Sequence, residues 1–202
     1  MPPGAGLDLL KLMDTTGRLR ATSAADVRFA ARLAQAVPLK SDLRIRLARE
    51  AAFRDVQEHN LILLGGRGAN PWVSLFDGGM NFALVNDPET HRPAFRNRDP
   101  KRGEQETYIT YPRTPDTGEA YAVVTLLRHP DHSGHVLIIQ GATMEASEGA
   151  ARLLMNGDLR SLKSRLGRDA ALRTNPRFEV LLRMKAIGGG ATEMNVVAAR
   201  TH

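Results

Sequence analysis

Asn60-Leu61-Ile62-Leu63-Leu64 is a short, unbroken apolar run, and Gly65-Gly66-Arg67-Gly68-Ala69-Asn70-Pro71-Trp72 follows it directly. A run of this length and composition reads as a strand buried on both faces, as parallel strands are. The glycines supply a turn, and Pro71 opens a helix, where a missing N–H costs nothing. A strand that feeds a loop and then a helix start leaves free backbone N–H groups and the positive end of a helix dipole at one corner. Such a corner can hold an anion. It constrains the chain to an α/β arrangement before any other residue is considered.

The rest of the chain extends that pattern. Residues 1–22 show weak periodicity and are expected to form a partly ordered leader, with one domain over 23–200. Ser23 reads as an N-cap for a helix from Ala24 to about Ala36, ended by Pro38. Leu43-Arg44-Ile45-Arg46-Leu47 alternates strictly and predicts a strand, and Ala51 to Val56 a short helix. A helix over Val73–Asp77 and a strand over Met80–Val85 follow. Asn86 to Gln105 is polar, carries Pro88, Pro93 and Pro100, and is expected to be a long loop. Strands are predicted over Thr107–Tyr111, Tyr121–Leu127 and His135–Ile139. Gln140-Gly141-Ala142-Thr143 is a second strand-to-helix corner, with Thr143 as N-cap of a helix to about Met155. Asp158 caps a further helix through Leu166, and Phe178–Met184 pairs with Glu193–Ala199 as a hairpin across Gly188-Gly189-Gly190. The fold class is therefore α/β. We expect a single domain with a mixed, seven- or eight-stranded sheet flanked by helices on both faces, Rossmann-like but irregular, because too few crossover helices are available for a regular doubly wound sheet.

Composition narrows the chemistry. The 202 residues contain no cysteine, which removes disulfides, thiolate nucleophiles and cysteine metal sites. No apolar run reaches the length of a membrane helix, and the N-terminus lacks the pattern of a signal peptide, so the expected location is cytoplasmic, or extracytoplasmic for a piece of a membrane-anchored parent. The net charge of +6 comes mostly from arginine. Acidic residues are interleaved through 86–106, and only 160–185 carries a clear basic excess, so a solvated surface is favoured over a nucleic-acid face.

Two corners carry the candidate site. At the first, Gly65, Gly66, Arg67, Gly68, Asn70 and Trp72 match neither a phosphate-binding P-loop, for which the Lys-Ser/Thr pair is missing, nor the dinucleotide fingerprint. Arg67 offers charge to a phosphate or carboxylate, Asn70 fixes the turn or donates to a ligand, and Trp72 stacks on a ring. The alternative is a packed turn with Trp72 as an anchor. At the second, Gly141, Thr143 and Met144 join the site only if the strand at His135 lies parallel to Leu61–Leu64, so that both corners open at one sheet edge. The bland alternative leaves Thr143 as a helix cap. His129, Asp131, His132 and His135 match no strong zinc spacing, and their Pro130 and Gly134 read as a surface turn, so no metal and no cofactor is expected. No hydroxyl sits in a nucleophile elbow, and Glu145 and Glu148 serve the helix dipole.

The strings Asn60-Leu-Ile-Leu-Leu-Gly65, Asn70-Pro-Trp-Val73, Met80-Asn-Phe82, Gly103-Glu-Gln105, Val136-Leu-Ile-Ile139-Gln-Gly141 and Phe178-Glu-Val-Leu-Leu182 resemble an uncharacterised bacterial domain. That domain resembles the C-terminal soluble part of helix-turn-helix or membrane-anchored regulators, chiefly of soil bacteria, and the similarity covers about residues 24–200. The resemblance implies a sensor or effector-binding role and carries over no catalytic residue. This chain shows no DNA-binding segment and no membrane helix of its own.

Three functions follow as expectations. The first is a non-enzymatic ligand-sensing or regulatory domain that binds a small anionic or aromatic molecule at the two corners. The second is a hydrolase or transferase acting on a phosphorylated or acyl substrate, with His129 or His132 as general base. The third is a protein-interaction module, with a protein partner or a second copy docking on 86–106 or 160–185.

Overall fold

The computed structural model describes residues 24–36, 42–114, 117–155, 177–187 and 190–201. The leader, the helix expected over Asp158–Leu166 and most of the basic 160–185 segment lie outside the described residues. The ordered elements are α1 (Ala24–Ala36), α2 (Phe53–Glu58), β1 (Leu61–Leu64), a 3-10 segment (Pro71–Gly79), β2 (Phe82–Asn86), β3 (Pro93–Asn97), β4 (Thr107–Ile109), β5 (Tyr111–Thr114), β6 (Thr117–Arg128), β7 (His135–Gly141), α3 (Met144–Met155), β8 (Phe178–Ile187) and β9 (Gly190–Thr201).

The fold is α/β, with the strands divided between two sheets rather than joined in one of seven or eight. A six-stranded mixed sheet runs β1-β7-β6-β8-β9, with β5 hydrogen-bonded to β6, and a second sheet runs β2-β3-β4. β1 and β7 are parallel, with Leu61 opposite Val136 and Leu64 opposite Ile139. The other pairings are antiparallel. β6 is the hub. Its twelve residues pair with β5, β7 and β8, and Ala122, Val123 and Val124 have no exposed surface.

Alternation along these strands builds two cores, because successive side chains point to opposite faces. Ala120, Ala122 and Val124 of β6, Ile139 of β7 and Val180, Leu182 and Met184 of β8 pack under Phe29 of α1 and Ala146, Ala150 and Leu153 of α3. The small residues of α3 let its backbone lie close to the sheet. On the opposite face, Tyr121, Val123, Leu181 and Ala198 meet Phe82, Phe95 and Tyr108 of the three-stranded sheet. Beside them, Leu63, Leu127, Val136 and Ile138 bury Val56 of α2 and Val73 and Phe76 of the 3-10 segment. The molecule is thus layered as helix pair, large sheet, small sheet, and the second face is covered mainly by strands where helices were expected.

Several local expectations shift. Leu43–Leu47 forms no strand despite its alternation, and Ile45 is 58% exposed there. No described strand pairs with it, and alternation without a partner strand buries nothing. Residues 86–105 are not a loose excursion. They contain β3, and a tight turn held by Asp87 N donating to Arg92 O at 2.8 Å and His91 N donating to Asp87 O at 2.9 Å. The run Thr107–Tyr111 is split, with β4 in the small sheet and β5 in the large one.

Candidate functional site

The parallel β1–β7 pair brings the two corners to one sheet edge. Leu64 and Ile139 are in register, and Gly65 N donates to Ile139 O at 2.9 Å, so the chain leaves both strands side by side. Gly65 takes the left-handed turn at φ 86° that a side chain would resist. Gly66 packs inward: a Cβ there would lie 2.6 Å from Leu84 Cδ2 and 3.6 Å from Gln140 Oε1. Gly141 is equally confined, because a Cβ would lie 2.3 Å from both the N and Oγ of Ser147 on α3.

Asn70 and Trp72 are occupied in holding this corner together. Asn70 is buried; its Oδ1 accepts from Trp72 N at 3.2 Å and its Nδ2 donates to Leu64 O at 3.3 Å, which ties the start of the 3-10 segment back to β1. Trp72 Nε1 donates to Ala48 O at 2.7 Å, and its ring lies 6.2 Å from that of Phe53. Thr143 caps α3: its Oγ1 accepts from Ala146 N at 3.2 Å and its O from Ser147 N at 3.1 Å. The groups left facing out are Arg67, half exposed and paired with Asp77 at 2.9 Å, Gly68 in open space, and Met144, 54% exposed. The backbone N–H groups of Arg67, Gly68, Met144 and Glu145 have no hydrogen-bond partner among the described residues.

The histidines lie elsewhere. His129 and His132 flank the β6–β7 turn, at the end of β7 opposite Gly141. Six residues of strand at about 3.3 Å each put them roughly 20 Å from the corners. His129 is buried; its Nε2 donates to Val56 O at 2.6 Å and its Nδ1 accepts from Asp131 N at 3.2 Å. His132 repeats the pattern, with Nε2 donating to His59 O at 3.1 Å and Nδ1 accepting from Gly134 N at 2.8 Å. The two rings stack at 4.0 Å. Both imidazoles therefore join the turn to the chain around α2, and no cluster of metal-ligating side chains occurs among the described residues.

A buried polar row between the two sheets escaped the sequence reading. Thr125, Glu179 and Arg200 stand opposite one another across β6, β8 and β9. Glu179 has no exposed surface; it accepts from Asn81 N at 2.6 Å and Phe82 N at 2.9 Å, and burial pushes its carboxyl above the usual range. Arg200 makes a forked pair with Glu104, Nη1 to Oε1 at 2.8 Å and Nη2 to Oε2 at 2.5 Å, and its guanidinium lies 5.2 Å from the Phe82 ring centre. The Arg200 hydrogen bonds, aided by Lys101 N and Asn97, hold the Glu104 carboxyl down to about 2. Asn97 joins the same network, accepting from Asn81 Nδ2 at 2.7 Å and donating to Glu104 at 2.9 Å. A lone Glu or Arg in an apolar strand was the available signal. The strings Met80-Asn-Phe82, Gly103-Glu-Gln105 and Phe178-Glu-Val contribute three of its members.

Comparison of the chain with protein-family models, with curated proteins and with solved structures returns no match.

Proposed function

We infer that this chain is a non-enzymatic ligand-sensing domain that takes a small anionic molecule at the edge where β1 and β7 end. One observation carries the reading: the unpartnered N–H groups of Arg67 and Gly68 follow β1, those of Met144 and Glu145 follow β7, and the two strands are adjacent and parallel. Open α/β sheets bind ligands at the carboxyl ends of their strands, and such N–H groups suit an oxyanion. Arg67 adds charge, and Met144 offers apolar contact to the body of the ligand. Asn70, Trp72, Gly66 and Gly141 act by shaping the loops rather than by touching the ligand. A role in regulation follows from the resemblance and rests on it alone.

The two alternatives have less behind them. A hydrolase or transferase needs a base within reach of the substrate, and His129 and His132 stand at the other end of β7. A protein-interaction module was expected to dock on 86–106 or 160–185; β3 takes part of the first segment into the small sheet, most of the second lies outside the described residues, and sizing chromatography with limited proteolysis tests it.

Titration calorimetry with a panel of nucleotides and organic acids tests the sensing reading. Arg67→Ala is expected to weaken a detected ligand about tenfold, the usual worth of one charge-assisted contact. An unchanged affinity removes Arg67 from the site.

A further inference from the structure

The small sheet carries a second polar concavity, which meets the β1–β7 edge only at Asp77, whose side chain pairs with Arg67 and whose carbonyl accepts from Arg98. A cleft of about 580 Å³ is lined by Arg96, Asn97, Arg98, Pro100, Glu106 and Thr107. The depression is broad and open to solvent, with room for the head and part of the body of a small molecule. The strand period of two explains the lining: Arg96 and Arg98 point outward while Asn97, between them, is buried against the other sheet. Two residues of strand separate the arginines by about 6.5 Å, a span over which two guanidinium forks can close on one phosphate or carboxylate head.

The cleft is built on fixed parts. Asn97 is held by Asn81, Glu104 and the Gln105 carbonyl, at 2.7, 2.9 and 3.2 Å. Arg98 N donates to Asn81 O at 3.0 Å, which continues the β2–β3 ladder one residue beyond β3. The Arg98 guanidinium is anchored by one nitrogen only, Nη1, which donates to Asp77 O at 2.6 Å and Met80 O at 3.0 Å. Its other nitrogens are not engaged by described residues. The Arg96 guanidinium, the Glu106 carboxylate and the Thr107 hydroxyl also have no partner among the described residues. An oriented cation, a free cation, an acceptor and a hydroxyl thus share one opening.

We propose that this cleft binds a small hydroxylated or amino-bearing anion, its phosphate or carboxylate head between Arg96 and Arg98 and its donor groups on Glu106 and Thr107. Glu106 sets the class. It opposes a bare polyanion and favours a ligand whose body donates hydrogen bonds. The proposal does not depend on the β1–β7 edge.

Calorimetry on the full chain with adenosine monophosphate, gluconate and inorganic phosphate tests it. Binding of the nucleotide assigns a phosphate head, and binding of gluconate a carboxylate head. Either is expected to weaken about tenfold in Arg96→Ala and to vanish in Arg96→Glu. Arg96 is exposed and bonded to no described side chain, so these variants are expected to fold, with circular dichroism as the check. Met144→Ala, at the β1–β7 edge and sharing no partner with Arg96 or Arg98, leaves this binding within about twofold, as expected of a separate site. Inorganic phosphate is expected to bind more weakly than the nucleotide, and equal binding overturns the part assigned to Glu106. Affinity unaltered by Arg96→Glu, loss in Met144→Ala instead, or no heat from any probe up to about 1 mM, the weak limit of specific recognition, overturns the proposal.

Discussion

Arg200 and Glu104 show how much one side-chain pair can decide. Arg200 is 6% exposed and reaches from the last strand of the chain into the loop between β3 and β4. Removing one partner of a buried ion pair leaves the other charged and unpaired, a cost of about 3–5 kcal/mol. Arg200→Leu is expected to fall near the lower figure, because Glu104 keeps 14% of its side chain in solvent, and urea unfolding measures it. The pair also gives an acid limb. The Glu104 carboxyl is shifted from about 4.5 in an unfolded chain to about 2 in the folded one. Its stabilising effect is thus complete above about pH 4.5 and disappears as the pH falls toward about 2. Glu104→Gln is expected to flatten the stability profile over that window, as fluorescence-monitored unfolding at several pH values can show. Only half of this was legible from residue type: Arg200 in an apolar strand signals a buried partner, but a glutamate in a polar loop reads as a surface residue until the two sheets bring them together.

Elements read well wherever local chemistry decides them. The β8–β9 hairpin, the Thr143 cap and the Gly65 turn follow from spacing and side-chain type, and all three are present. The strand at Leu43–Leu47 is absent because a strand depends on a neighbour, which no local pattern supplies. The loop at 86–105 was misread for the opposite reason: its prolines hid β3, where Pro93 sits at the strand start, a position that tolerates a missing donor. Gly141 shows packing between elements. Gly141→Ala drives a methyl into the first turn of α3 and is expected to cost about 1–3 kcal/mol, the range of an overpacked contact, read as a lower melting temperature. The β6–β7 turn gives a different test. His129 and His132 are expected to carry their protons on Nε2, which nitrogen-15 NMR of the imidazoles resolves. His129→Ala is expected to speed amide exchange around α2, because the Val56 carbonyl loses its partner.

Across the whole molecule, parallel β1 and β7 explain both what was legible and what was not. Their adjacency was foreseen as a condition for a joint site, and the register meets it. The division into two sheets was not foreseen, because β3 was hidden in an expected loop and nothing local in β2 or β4 separates them from the strands of the large sheet; only tertiary contact assigns them to a separate layer. The same pairing has a kinetic side. Val136 lies 75 residues beyond Leu61 and sits opposite it, whereas the hairpins β6–β7 and β8–β9 join neighbouring segments. Contacts that close long stretches of chain tend to form late. The only tryptophan, Trp72, stands just past β1 with its indole on the Ala48 carbonyl. The chain's one tryptophan thus sits beside a seam that closes a long stretch of chain, so in stopped-flow refolding its emission, excited beyond the tyrosine band, is expected to trail the far-ultraviolet signal and to time the moment at which the two corners meet.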